Sequence, residues 1–478
     1  MLVTALSCGV FGAALKRPGR LDGLARAGLE SLDHRGRDSH GVAWLGPDGG
    51  IARLVREGPA RDSDLLDPGT EGSFAIGHTR YGTSSGSSVS FAQPMMFNAK
   101  GFEFAISHNG NISNNKEIER ALGMERPSGQ PDTYTLGQLI KRRLDGSGDI
   151  EKAVGEALRE AEGSFSMAIL FSGKGRQGVL AVRDRFGYMP LYSGENEAGF
   201  YIASETVTFL PKFLGIESYS AVVPGEMLLL DGKRRDRDAL SNPTPQHCGF
   251  QLAYMMRGDS EFDGSNVSQA RERAGRILAD LYRPDVDTIV PVPESGRPLA
   301  NGYSGASGIP QTEGILKERG NTSRSFMFPT HEQRTDAIGS KFSIVGAAVD
   351  GKRVLLLDDS IVRGNTIRWL VEELRRAGAI GVHVALGFPE IVSQCFYGHD
   401  FYNEELVARQ FSGNGRVEVA AGVARTVGAD SVYYISREGF AKAAGVPLEE
   451  LCFSCVTGDY AQPVHFETAE VRRGSTGQ

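Results

Sequence analysis

Val354-Leu-Leu-Leu-Asp-Asp-Ser-Ile-Val-Arg-Gly-Asn-Thr366 is the stretch on which the fold of the C-terminal half turns. Four consecutive apolar residues read as a buried strand, the strand ends in two carboxylates, and a short glycine-bearing loop opens a helix. Leu370, Leu374 and Ala377 recur at i, i+4 and i+7, the stripe of a helix packed behind that strand. Backbone N–H groups at such a helix start hold a phosphate, aided by the helix dipole. Asp358 and Asp359 can reach ribose hydroxyls directly or through hydrated Mg²⁺, an ion that favours oxygen ligands. Paired acids at a strand end also suit another divalent metal, or a solvated turn.

Strand-like runs at 288–291, 353–357 and 382–386 alternate with helical patterns at 268–281 and 366–377. That pitch makes βαβ units and a parallel sheet, an α/β domain. Before residue 250 the texture differs. Short strands at 74–77, 102–106, 166–171, 178–182, 200–203 and 227–230 are interleaved with helices at 21–31, 135–144 and 150–161, which predicts a layered α+β domain. The polar run 231–247 reads as a linker. The expected domains are 8–240 and 250–440, with 1–7 a removable leader and 441–478 a C-terminal segment whose tail frays after Gln462. No internal repeat or low-complexity tract interrupts them.

Cys8, in Cys8-Gly-Val-Phe-Gly12, reads by itself more readily as a small buried hydrophobe than as a nucleophile. It is followed in order by His34-Arg-Gly-Arg-Asp-Ser39, Gly77-His-Thr-Arg-Tyr-Gly-Thr83, Ser107-His-Asn-Gly-Asn-Ile112 and Pro131-Asp-Thr-Tyr134. This ordered set resembles the class II glutamine amidotransferases, which are N-terminal nucleophile hydrolases with a four-layer αββα sandwich. Amide hydrolysis needs a nucleophile, a base and oxyanion donors. With residues 1–7 removed, Cys8 supplies a thiol and an α-amine whose reference pKa, about 8, suits proton exchange. The resemblance implies that the Asn109 side chain and the Gly110 N–H form the oxyanion hole. It places Arg80 on the glutamine α-carboxylate and Asp132 on the α-ammonium. The His-Asn-Gly sequence alone also admits a hairpin turn, and His34 and Arg35 are read as structural.

The 354–366 stretch resembles the phosphoribosyl pyrophosphate (PRPP) loop of type I phosphoribosyltransferases. That likeness assigns Asp358, Asp359, Ser360, Arg363, Gly364, Asn365 and Thr366 to PRPP, with Mg²⁺ at Asp358, Asp359 and Ser295 of Val290-Pro-Val-Pro-Glu-Ser-Gly-Arg-Pro298. Lys317, Arg319, Arg324 and Arg334 lie between two strands. They read either as a solvated loop or as charges that neutralise departing pyrophosphate when the loop closes. Glutaminase first and phosphoribosyltransferase second is the order of the amidophosphoribosyltransferase family. Its members free ammonia from glutamine, pass it through an internal channel and make phosphoribosylamine for purine synthesis.

The remaining cysteines are Cys248, Cys395, Cys452 and Cys455. Cys452-Phe-Ser-Cys455 alone is equally a redox pair, a zinc half-site or an iron–sulfur half-site. The family's iron–sulfur members carry cysteines in these four contexts, which implies a structural [4Fe–4S] cluster, with Cys₄ zinc or free thiols the alternatives. A net charge of −7 advertises neither nucleic acid nor anionic membrane. No run approaches the ~18–20 apolar residues of a membrane span. Residues 1–7 do not read as a secretory signal, so a cytoplasmic enzyme, dimeric or tetrameric as the family often is and subject to feedback nucleotides, is expected. Departures from the family pattern gather at Tyr254-Met-Met-Arg-Gly-Asp-Ser260, Lys317-Glu-Arg-Gly-Asn-Thr-Ser-Arg-Ser-Phe326 and Asn365. They leave room for a paralogue making another amine, or for a nucleotide-binding regulator, although the intact Cys8 set argues against the latter.

Overall fold

The strand Gly9–Arg20 (β1) alternates: Val10 and Ala14 turn to one face, Phe11, Ala13 and Leu15 to the other, and all five are buried. A strand covered on both faces belongs inside a layered structure. The computed structural model describes residues 8–80, 89–233, 235–318, 339–399, 406–413 and 415–463. The chain divides into two compact units. The described residues of 8–248, 396–399 and 460–463 form one, and those of 249–395 and 400–459 the other.

In the first unit β1 is followed by α1 (Leu21–Ser31), β2 (Ser39–Leu45), β3 (Ile51–Glu57), β4 (Glu71–Arg80), β5 (Met95–Ala99) and β6 (Phe102–Ile112). Helices α2 (Asn115–Leu122), α3 (Asp132–Ser147) and α4 (Ile150–Glu160) come next. The strands β7 (Gly163–Gly173), β8 (Arg176–Arg183), β9 (Tyr192–Glu195), β10 (Gly199–Ala203), β11 (Ser218–Ala221), β12 (Glu226–Leu230) and β13 (Arg235–Ala239) complete it. They make a seven-stranded sheet, β11-β9-β10-β1-β4-β2-β3, and a six-stranded sheet, β13-β12-β8-β7-β6-β5. Val10, Ala43, Ile76, Ala105, Leu170 and Leu228 fill the space between the two sheets. Leu21 and Leu29 of α1 cover the outer face of one sheet with Phe11 and Tyr201. Leu136, Ile140 and Val154 of α3 and α4 cover the other with Phe104, Ile106 and Ile169. This is the expected αββα order.

Two local readings change. The run 231–247, taken for a linker, carries β13, an edge strand paired with β12. Its Arg-Asp-Arg-Asp sequence is polar on both faces, which suits an edge and carries no apolar period. The His108-Asn109-Gly110 sequence is no hairpin. It lies inside β6, paired with β7 without a break from Phe102↔Gly173 to Ile112↔Gly163.

The second unit holds α5 (Val267–Leu281), β14 (Thr288–Pro291), α6 (Gly296–Ser307), β15 (Ile315–Lys317), β16 (Phe342–Ile344), β17 (Arg353–Asp358) and α7 (Asn365–Arg376). After them come β18 (Gly381–Leu386), α8 (Arg416–Val427), β19 (Ser431–Tyr434) and α9 (Arg437–Ala444). A four-stranded sheet runs β14-β17-β18-β19, parallel throughout. Val354 and Leu356 of β17 pack with Ile367, Leu370 and Leu374 of α7, so the strand-then-stripe reading holds. β15 and β16 form a separate antiparallel pair.

Candidate active sites

Side-chain alternation brings the first set together. On β1, Val10 and Ala14 face the inter-sheet space, and Cys8 has their parity. On β4, Phe74 and Ile76 face it, as His78 and Arg80 then do; on β6, Ala105 shares parity with Asn109. Cys8 is half-buried, while Arg80 and Asn109 are buried. Burial lowers the Arg80 guanidinium below its ordinary value, and the nearby Cys8 opposes that shift. The Asn109 Nδ2 group is buried and has no acceptor among the described residues. A buried donor of that kind is costly unless a ligand uses it. Gly110 has φ +149°, and a methyl there would stand 2.1 Å from the Ser164 carbonyl oxygen, so only glycine fits.

The His-Arg-Gly motif proves to belong here. Arg35 is fully buried; its Nε donates to the Cys8 carbonyl oxygen at 3.0 Å and its Nη1 to Glu205 at 2.5 Å. His34 Nε2 lies 2.8 Å from the same Glu205 oxygen. A methyl on Gly36 would come 2.5 Å from the Arg80 carbonyl carbon, so Gly36 lets this loop lie against the end of β4. Thr79 Oγ1 accepts from the Gly9 N–H at 3.2 Å and donates to the Leu32 carbonyl. Arg35 thus has a structural role that reaches the Cys8 peptide.

Asp132 begins α3. Its Oδ2 accepts from the Ile112 N–H at 2.7 Å and its Oδ1 from the Thr133 N–H at 3.0 Å, so it ties the end of β6 to the helix. His108 Nδ1 lies 3.9 Å from Asp132 and 3.1 Å from Thr133 Oγ1, while Gln93 Oε1 accepts the His108 N–H at 2.7 Å. Sequence reading singled out neither His108 nor Gln93.

In the second unit Asp358 closes β17 and Asp359 follows it; both are buried. Ser295, at the start of α6, donates to Asp359 Oδ2, and Ser360 donates to Asp359 Oδ1 at 2.6 Å. Burial and the adjacent Asp359 carboxylate push Asp358 well above the usual carboxylate range. Burial also raises Asp359, opposed by the Ser295 and Ser360 hydroxyls and by Arg271. Arg271 donates to the carbonyls of Leu252 (3.0 Å) and Met256 (2.8 Å), which flank the half-buried Tyr254; desolvation and the two aspartates raise that phenol. The partly buried Ser360 and Arg363, with buried Gly364 at φ +81°, lead into Asn365 and Thr366 on the first turn of α7. Lys317 is exposed at the end of β15; Arg319, Arg324 and Arg334 lie outside the described residues.

No disulfide joins any of the five cysteines. Cys452 and Cys455 are buried and Cys395 half-buried, and the Val392 and Ser393 N–H groups both donate to the Cys455 carbonyl at 2.9 Å. Cys248 Sγ lies 3.3 Å from His399 Nε2. Among the described residues, no three His, Cys, Asp or Glu side chains gather as a metal site. No described helix is long and apolar enough to cross a membrane.

Residues 80–211 match the family model described as a glutamine amidotransferase domain. An amidophosphoribosyltransferase of Methanocaldococcus jannaschii is 35% identical over 96% of this chain and 98% of its own length. One of Bacillus subtilis is 32% identical over 96% of this chain and 95% of its own. The solved glutamine PRPP amidotransferase of B. subtilis, complexed with ADP and GMP, matches with a TM-score of 0.82 and 31% identity, over 96% of this chain and 98% of that one.

Proposed function

The chain belongs to the amidophosphoribosyltransferases, and from that premise we propose that it hydrolyses glutamine at Cys8 and uses the ammonia to aminate PRPP. The products are glutamate, 5-phosphoribosylamine and pyrophosphate. In this reading the Cys8 thiolate attacks the glutamine δ-carbonyl, and the oxyanion is met by the Asn109 amide and the Gly110 N–H. Ammonia leaves with the proton carried by the Cys8 α-amine, and water hydrolyses the thioester. Arg80 binds the α-carboxylate and Asp132 the α-ammonium. What most supports the assignment is that Arg80 on β4 and Asn109 on β6 share the parity of residues facing the inter-sheet space, as does Cys8 immediately before β1.

At the second site, Asp358, Asp359, Ser360, Arg363, Gly364, Asn365 and Thr366 are proposed to cradle PRPP, with Lys317 near the pyrophosphate. Two carboxylates and the Ser295 hydroxyl fit Mg²⁺, which commonly takes one or two carboxylates together with substrate phosphates, so a gathered trio of acids is not required. Bound there, Mg²⁺ supplies charge neutralisation for departing pyrophosphate. The proposed [4Fe–4S] cluster at Cys248, Cys395, Cys452 and Cys455 rests on the sequence contexts and on the hydrogen bonds tying residues 392–393 to Cys455. The described side chains do not by themselves gather three ligands. The B. subtilis neighbour bound ADP and GMP, and we extend nucleotide binding to this chain together with a cytoplasmic, homo-oligomeric state. Domains at 8–240 and 250–440, with residues 1–7 removed and 441–478 as a C-terminal segment, complete the proposal.

The test is a steady-state assay of glutamine and PRPP consumption with the product mass measured. Cys8→Ala should abolish glutamine use and keep ammonia-dependent synthesis, and N-terminal sequencing of active enzyme should begin at Cys8. A product of another mass would mark a paralogue.

A further inference from the structure

Three consecutive residues of β4 reach three different parts of the glutaminase site. Arg80 faces the substrate space, Thr79 turns the other way to hold the Gly9 N–H, and His78 shares the inner face with Arg80. His78 is fully buried, and its Nε2 lies 3.0 Å from the carbonyl oxygen of His108. That carbonyl belongs to the peptide immediately before Asn109. The contact crosses from one sheet to the other, because β4 and β6 lie in different layers.

We propose that His78 is a positioning residue: as a neutral imidazole donating Nε2–H to the His108 carbonyl, it fixes the peptide that aims the Asn109 amide at the oxyanion. The inference rests on the glutaminase reading above and adds a residue to it. Three observations carry it. The carbonyl can only accept, so Nε2 must bear the hydrogen. Nδ1 is buried with no partner among the described residues, so an imidazolium would bury an unsatisfied N–H. Burial lowers the His78 pKa to about 3, which keeps the ring neutral wherever the enzyme works. The rest of β6 near Asn109 is already held by β7, by Gln93 at the His108 N–H and by Asp132 at the Ile112 N–H. His78 supplies the clamp from the opposite sheet. Oxyanion donors act through fixed placement, so a small displacement of Asn109 costs turnover more than binding.

The experiment uses the full-length enzyme and compares His78→Phe, which keeps a ring without a donor, with His78→Gln, which keeps a donor. His78→Phe should lower glutamine-dependent kcat by about 10- to 100-fold with KM for glutamine within about twofold. Its ammonia-dependent rate should stay near wild type, and His78→Gln should recover part of the loss. An aldehyde analogue of glutamine, which forms a tetrahedral adduct with the thiol, should bind more weakly to His78→Phe by a similar factor, while glutamate affinity holds. Unchanged kcat, or equal losses for aldehyde and glutamate, would overturn the proposal. Nitrogen-15 histidine spectra of the wild type add a check independent of any variant: His78 should remain the Nε2–H tautomer from pH 6 to 9, and titration in that range would sink the idea. Failure of the wild type itself to hydrolyse glutamine would instead remove the glutaminase reading.

Discussion

Arg35 Nε donates to the Cys8 carbonyl oxygen at 3.0 Å while the same guanidinium pairs with Glu205, so a fully buried cation anchors the peptide of the proposed nucleophile. Burial alone would raise Glu205. The charges and hydrogen bonds of His34 and Arg35 outweigh that and hold it well below the usual carboxylate range. A depressed carboxylate contributes stability above its unfolded value, about 4.3, and that contribution is lost as pH falls through the folded value. The wild-type melting temperature should therefore fall as pH drops below about 4, and Glu205→Gln should be flatter there. Arg35→Met leaves an uncompensated buried charge and should cost about 3 kcal/mol in denaturant unfolding at pH 7. A loss below about 1 kcal/mol would contradict the pairing.

Gly110→Ala should damage the glutaminase site through the backbone. The added methyl would stand 2.1 Å from the Ser164 carbonyl oxygen on the paired strand, at a φ of +149° that side chains rarely adopt. Relief requires β6 and β7 to move apart, at a cost of about 1–3 kcal/mol, and Asn109 moves with β6. Glutamine turnover should fall by at least about tenfold in protein that still folds. Gly23→Ala, in α1 with nothing within 4 Å of the new methyl, is the control and should be neutral or slightly stabilising.

What the sequence made legible follows the range of each signal. Period two and period 3.6 are local, so the residues of α1, β17, α7 and the first half of β6 could be read directly, and so could the ordered motifs, whereas the half of β6 that carries His108-Asn109-Gly110 could not. His78, Thr79 and Gly36 matter because β1, β4 and β6 meet, and strand register is a long-range property that no local pattern encodes. One signal was present: Phe74 and Ile76 are apolar at alternate positions, which already puts His78 on the side of Arg80. The edge strand β13 was missed for the opposite reason, because Arg-Asp alternation carries no apolar period.

Asp358 and Asp359 give a prediction with two signs. Both are raised, first by burial, with Asp359 raising Asp358 further, so the fold favours their protonated forms. A carboxyl raised in this way contributes stability below its unfolded value, about 3.9, that is lost as pH rises through the folded value. Without PRPP and Mg²⁺, Asp358→Asn should therefore melt higher than wild type at pH 8, with the difference vanishing near pH 4. The same variant should lose PRPP turnover by at least about a hundredfold, the ~2.7 kcal/mol scale of one preorganised electrostatic contact. Thermal melts at the two pH values and ammonia-dependent synthesis rates check both signs. Retained turnover would remove Asp358 from the PRPP site.

The cysteines make the last test. Four thiols remain beyond Cys8, none in a disulfide, and two of them sit in a buried Cys-x-x-Cys whose second member accepts backbone N–H groups from residues 392 and 393. A cluster type with four thiolate ligands uses them all, and the protein purified without oxygen should be brown with about four iron and four sulfide per chain. Because ligands so far apart in sequence meet only in the folded chain, metal binding and folding are linked. Cys452→Ser should lower the metal content and the melting temperature together, and glutamine-dependent and ammonia-dependent rates should fall in parallel rather than one alone. Stoichiometric zinc without iron would replace the cluster with a Cys₄ zinc site, and full stability of Cys452→Ser without any metal would leave these cysteines as ordinary core residues.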